Sequence, residues 1–210
     1  MSAIAESSSP KLTPANAATR ASIVEVAERL FRTLGYQKTT VADIARELRM
    51  SPANVYRFFP SKAAINEAIA ERLLGTLDEA VWAVARKPGS SPEQRIRELF
   101  KLLQEQTLAL FFQERRMHDM VAVALGQHWA VVERHIQTID AAFEHIVLEG
   151  ERKGVFARLD PATTGRLLNA ACVVFTHPTL VEQCSDTHDL PAMAQQMAEF
   201  CLRALRWSKN

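Results

Sequence analysis

The chain has 210 residues, 48% of them apolar and 23% charged, which is long enough to bury a core of its own and ordinary enough in composition to be globular. Its formal net charge of +1 neither requires nor excludes a nucleic-acid partner, but no apolar run approaches the ~18 residues of a membrane span, and the start lacks the basic end and apolar stretch of a signal peptide. Cys172, Cys184 and Cys201 are odd in number and form no CxxC pair, which argues against a disulfide framework and a zinc ribbon and makes the cytoplasm the expected location, with no membrane as partner.

Residues 1–17, rich in Ser, Ala and Pro and without apolar period, are expected to form a disordered arm. Thr19 is placed to cap a helix in which Ile23, Val26, Ala27, Leu30, Phe31 and Leu34 recur at three- and four-residue spacing, with Gly35 at its stop. Thr40 caps a second, whose apolar face is Val41, Ile44, Ala45 and Leu48. Ser51 caps a third with Pro52 at its first position, where the missing N–H costs nothing, and Val55, Phe58 and Phe59 turn it back onto the first two before Pro60 ends it. Ser61 caps a fourth and longer helix, which keeps its period from Ile65 to Val84 and runs to about Arg86.

The stretch KPGSSP, residues 87–92, marks a loop. Beyond it the pattern predicts helices near 93–112, 113–126 and 128–152, another from Asp160 and Pro161 that His177 and Pro178 interrupt, and a last from Asp189 carrying Met193, Met197, Phe200, Cys201 and Leu205 on one face. No stretch alternates as a strand would. The expected fold is all-α with about nine helices: a three-helix head over residues 18–64 and a helical bundle over residues 65–210.

Two short helices across a three-residue corner, braced by a preceding helix, make a helix-turn-helix, which puts double-stranded DNA forward as partner. The second helix of such a motif turns its first residues to base edges, so small and polar side chains suit Ser51, Pro52, Ala53 and Asn54 to close approach. Asn54 is the side chain best shaped to read an adenine edge, and Tyr56, Arg57 and Lys62 have the reach for flanking phosphates, with Arg20 on the preceding helix completing the candidate set. Charge is distributed accordingly: residues 1–62 carry nine Lys or Arg against five acids, and the remainder 16 against 19.

The segment TTVADIARELRMSPANVYRFFPSKAAINEAI, preceded by ASIVEVAERLFRTLGYQKTT, resembles the DNA-binding signature of the TetR family of bacterial regulators over residues 19–70. The resemblance implies DNA contacts at Thr40, Ser51, Asn54, Tyr56 and Lys62. It also marks departures: Phe58 stands where the family usually has His, and Arg49 and Ala53 where it often has Gly. Arg49 then occupies a corner position at which a left-handed backbone costs a residue with a side chain about 1 kcal/mol.

For the bundle, the resemblance implies a ligand chamber and a dimer surface. Pairing also follows from the motif itself, since two heads must span successive major-groove faces roughly 34–36 Å apart or more. A homodimer is expected through the last two helices, around 162–185 and 190–206, with Leu167, Ala171, Leu180, Met197, Phe200 and Leu205 as candidates. Phe111, His118, Met120, Trp129, Phe143 and Phe175 are the candidate lining of a chamber for a small apolar or amphipathic effector. THPTLVEQC, residues 176–184, is similar to a subset of the family that includes repressors of multidrug efflux pumps. The expected function is a repressor that binds a palindromic operator and releases it when the effector binds; the alternatives are an activator, or a regulator answering to a partner protein.

An enzyme is not expected. The sequence holds no HExxH, no Glu three residues before a His, no GxGxxG, GxSxG or P-loop, and no metal or cofactor is called for.

Overall fold

The computed structural model describes residues 13–111, 130–184 and 189–206. Over them the chain forms α1 (Pro14–Leu34), α2 (Val41–Glu47), α3 (Pro52–Phe58), α4 (Lys62–Ala85), α5 (Pro92–Phe111), α6 (Ala130–Arg152), α7 (Pro161–Thr176), α8 (Pro178–Cys184) and α9 (Leu190–Arg206). Nine helices and no strand stand among the described residues, as the all-α reading expects. The count is reached differently, because the break at His177 and Pro178 makes two helices of one, and the helix expected over 113–126 lies outside the described residues.

Side-chain caps set most of the helix starts. The side chains of Thr40, Ser51, Ser61 and Asp160 each accept a backbone N–H three residues on. The start of α1 differs from expectation: its cap is Thr13, which accepts from the Asn16 N–H at 3.3 Å, with Pro14 following. Thr19 lies within the helix and donates its hydroxyl to the Ala15 carbonyl at 2.9 Å. The first turn carries no apolar period and so escapes a reading based on periodicity. The Thr–Pro pair is its true start signal, and residues 14–17 are helix, not arm.

Two apolar clusters organise the molecule. The head cluster joins Ile23, Ala27 and Phe31 of α1, Ile44 and Ala45 of α2, Val55 of α3, Phe59, and Ile65 and Ile69 of α4. The body cluster joins Val81 and Ala85 of α4 to Ile96, Leu99 and Phe100 of α5, Phe143 and Ile146 of α6, Leu168 and Cys172 of α7, and Leu202 and Leu205 of α9. A smaller cluster gathers Phe175, Val181, Leu190 and Ala194 where α7, α8 and α9 meet. Thus α4, 24 residues and about 36 Å long, buries its first half in the head and its last turn in the body.

Two glycines let elements approach closely. A Cβ at Gly165 of α7 would stand 2.7 Å from the Asp140 carbonyl oxygen of α6, so α6 and α7 cross backbone to backbone. At Gly150 a Cβ would enter the Phe156 ring, which folds back under the end of α6.

Candidate nucleic-acid interface

The corner between α2 and α3 is built from the chain's own backbone. Thr40 and Asp43 form a reciprocal capping box at the start of α2, the Thr40 hydroxyl donating to Asp43 Oδ2 at 2.6 Å, and these bonds hold the Asp43 carboxyl below its ordinary pKa. At the other end the Arg49 N–H donates to the Arg46 carbonyl at 3.1 Å and the Met50 N–H to the Ala45 carbonyl at 2.9 Å, the two bonds of a Schellman cap. That cap needs a left-handed residue at Arg49, whose φ is +54°. The departure from glycine read in the sequence is therefore accommodated by strain rather than by another turn.

Ser51 then caps α3, its side chain accepting the Asn54 N–H at 3.2 Å. Val55, fully buried, pins α3 to the head core, and Phe59 closes it behind. With one face fixed in this way, Ser51, Pro52, Ala53, Tyr56 and Arg57 stand exposed on the other and Asn54 is half-buried beside them. Arg57 Nη1 lies 3.5 Å from Asn54 Oδ1, which leaves the Asn54 amide as a hydrogen-bonding edge and Arg57 as a neighbouring cation. Arg20, from α1, lays its guanidinium 4.5 Å over the Phe59 ring and adds a second exposed cation.

Lys62 is placed otherwise than expected. Its ammonium donates to the Tyr36 carbonyl at 2.9 Å and the Thr39 carbonyl at 3.1 Å and sits 4.3 Å from the Tyr36 ring centroid, where burial lowers its pKa. Two of its three N–H groups thus clamp the α1–α2 loop to the start of α4, so it acts first as a brace and not as a free phosphate contact. Tyr36 and Thr39, both buried and given no role by sequence reasoning, are the other half of this brace. The available signal was Tyr36, an aromatic placed directly after the Gly35 stop.

Pairing explains how a modest charge excess becomes a positive surface. Asp43, Glu47 and Glu28 are engaged by Arg46, Arg29 and Arg32, which leaves Glu25 as the unpaired acid among the described head residues. Arg20, Lys38, Arg49 and Arg57 are exposed and have no acidic partner among the described residues. Four such cations on one small head, with Arg57 in the last turn of α3 and Arg20 over Phe59 just beyond it, are suited to a polyanion.

In the body, Phe143 is fully buried and packs edge-on against Phe100 with ring centroids 5.6 Å apart, whereas Phe175 belongs to the separate cluster beside α8. The expected chamber residues His118, Met120 and Trp129 lie outside the described residues, as does the side chain of Phe111. Among the expected interface residues, Leu167 is 65% and Phe200 67% exposed, while Ala171, Leu180 and Met197 are half-buried. Leu205 is a correction: it is 3% exposed and part of the body core, because its position on α9 faces α5 and not solvent.

Residues 23–69, the span that builds this head, match the family described as bacterial regulatory proteins, tetR family, and residues 92–196 match the tetracyclin repressor-like C-terminal domain. The chain belongs to the TetR family. As a member it is a DNA-binding transcriptional regulator and not an enzyme. It is 34% identical to the HTH-type transcriptional regulator TtgR of Pseudomonas putida over 148 residues, 65% of this chain and 69% of the relative. Its fold is shared with a TetR-family regulator from Pectobacterium atrosepticum (TM-score 0.67, 20% identity, 95% of this chain and all of the other). It is shared too with SmeT, the repressor of the Stenotrophomonas maltophilia multidrug efflux pump SmeDEF (0.65, 18%, 90% and 91%). A third likeness is to FadR of Thermus thermophilus, solved with lauroyl-CoA (0.62, 21%, 91% and 97%). No described helix of the TetR-family chain is long and apolar enough to cross a membrane.

Proposed function

We propose that the protein is a cytoplasmic homodimeric repressor that holds a palindromic operator through α3 and releases it when an apolar small molecule enters the helical body. The observation that carries the DNA half of this reading is α3 itself, pinned by fully buried Val55 while Ser51, Pro52, Ala53, Tyr56 and Arg57 stand exposed. Asn54 supplies base readout, Arg57, Arg20 and Arg49 the phosphate field, and Thr40 the exposed start of α2.

Pairing is supported by the large apolar side chains exposed on two helices, Leu167, Val173 and Val174 on α7 and Phe200 on α9. Large apolar side chains left in solvent along two helices mark a surface made to be covered, and two heads on one duplex require such a partner copy. The effector and the efflux role are supported by the shared fold with SmeT, the repressor of a multidrug efflux pump, which has also been solved as a triclosan complex.

The test is fluorescence anisotropy of the purified protein on DNA flanking its own gene, across a salt series and against an unrelated duplex. The reading expects competitor-resistant binding that weakens with salt, saturates at an even number of subunits and is reversed by an apolar effector. Equal affinity for the unrelated duplex, together with no selected fragment from a genomic pool, would overturn it.

A further inference from the structure

The end of α4 farthest from the head borders a cleft of about 390 Å³ at the α4–α5 turn, which neither the DNA surface nor the expected effector chamber uses. Its lining includes Arg86, Lys87, Arg95 and Lys153 against the single carboxylate of Glu149. We propose that this cleft is a binding site for a small phosphorylated compound.

Three observations converge on an oxyanion. Arg95 is only 2% exposed; its Nη1 donates to the Ala85 carbonyl at 2.7 Å, its Nη2 meets Glu149 at 2.7 Å, and its buried Nε has no acceptor. This guanidinium is a fixed, buried positive charge in the wall of the cleft. The other cations exceed their acids: Lys153 shares Glu149 at 2.6 Å, Lys87 is held by Glu98 at 2.8 Å, and Arg86 rests 4.1 Å over the Trp82 ring with no acidic partner among the described residues. The cleft also opens at the start of α5, a 20-residue helix whose positive dipole end, with Ser91 bonded to the Gln94 N–H, points the same way.

Size and place define the ligand further. A volume of this order exceeds one oxyanion and matches the lower range of small-molecule sites, and Ser90, Ser91 and His145 offer hydrogen bonds to a polar body. The whole length of α4 separates these cations from Lys62 and the head, so they are not an extension of the DNA surface.

The test uses the full-length protein with inorganic phosphate and pyrophosphate as probes, followed by calorimetry and by amide shifts of Gly89, Ser90 and Ser91, with chloride and acetate at matched ionic strength. Saturable binding is expected, tighter for pyrophosphate, and weakened about fivefold or more by either Arg86→Ala or Lys153→Ala, exposed substitutions that leave the fold intact by circular dichroism. Arg57→Ala, in the head, leaves this binding unchanged. Linear, chloride-like shifts, or a loss equal in Arg57→Ala, would overturn the assignment.

Discussion

Arg49 makes the corner of the helix-turn-helix open to a quantitative test. Its φ of +54° satisfies the Schellman cap but sets its Cβ against the following carbonyl, a strain of about 1–2 kcal/mol for a residue with a side chain. Arg49→Gly removes that strain and returns part of it, about 0.5–1 kcal/mol, through the greater freedom of glycine in the unfolded chain. The net expectation is a stabilisation of about 0.5–1 kcal/mol, which for a chain of this size raises Tm by about 1–4 °C. Arg49→Ala keeps the left-handed backbone and loses only the cation at the end of α2, so it should be neutral or slightly destabilising. Urea and thermal unfolding of the three proteins at one concentration measure the difference, since any self-association would shift the midpoint with concentration. Equal stability of the Gly and Ala variants would refute the conformational reasoning. Both variants lose the same charge at the corner, so both should weaken operator binding alike, with a salt slope shallower by about 0.9 if Arg49 meets one phosphate.

Asn54→Ala is expected to relax discrimination at one operator position by about 1–3 kcal/mol with little change in salt slope, whereas Arg57→Ala weakens all duplexes and flattens the slope by about 0.9; anisotropy across salt on matched and mutated sites separates the two. Leu167→Glu combined with Phe200→Glu should yield a folded monomer by light scattering and abolish tight operator binding, since each charge would be buried in the pairing face. Gly165→Ala should cost about 1–3 kcal/mol because its Cβ would meet the Asp140 and Glu144 backbone of α6, while Gly75→Ala, in open space on α4, should stabilise by about 0.5–1 kcal/mol in the same unfolding assay. Arg95 and Lys153 pull the Glu149 carboxyl down to about 2 from 4.5. Its contribution is therefore fully present above pH 4.5 and lost as the pH falls toward about 2, and Glu149→Gln should flatten that part of the acid-unfolding curve.

Much of the head was legible because its signals are local. Thr40, Ser51 with Pro52, and Ser61 carry the caps in adjacent residues, and the three- and four-residue apolar spacing names Ile44, Val55 and Ile69 as core before any packing is known. Arg49 was legible as a strained corner for the same reason. What escaped depended on contacts across the chain: the long Lys62 side chain could equally reach outward to a phosphate or inward to the carbonyls of Tyr36 and Thr39, 26 and 23 residues away, and only the folded loop shows that it turns inward. Leu205 was misassigned because one apolar stripe on α9 serves two neighbours. Its period reveals a buried face but not which partner covers it, and α5 of the same chain takes Leu202 and Leu205 while Phe200 remains in solvent.

The same cross-chain contacts show how the body can govern the head. The start of α4 is clamped by Lys62 to the loop that leads into α2, and its next turns are tied to α1 through the Arg72–Glu28 pair. Farther along, Glu71 meets Arg134 at 3.3 Å and Asp78 meets His135 Nδ1 at 2.6 Å, both on α6, and Arg95 holds the last carbonyl of α4 to Glu149. A shift of α6 or of the α4–α5 turn must therefore move α4 or break these bonds. Ala70 and Leu74 in the middle of α4 pack on Val131 of α6, so α4 follows α6 rather than parting from it. Any ligand that repacks α6 by a fraction of a turn changes the position of Lys62, and with it the angle at which α2 and α3 are presented, without unfolding the head core. A ligand in the proposed effector chamber and an oxyanion in the cationic cleft would then act on DNA through one lever, and their effects on operator affinity should be coupled and not independent.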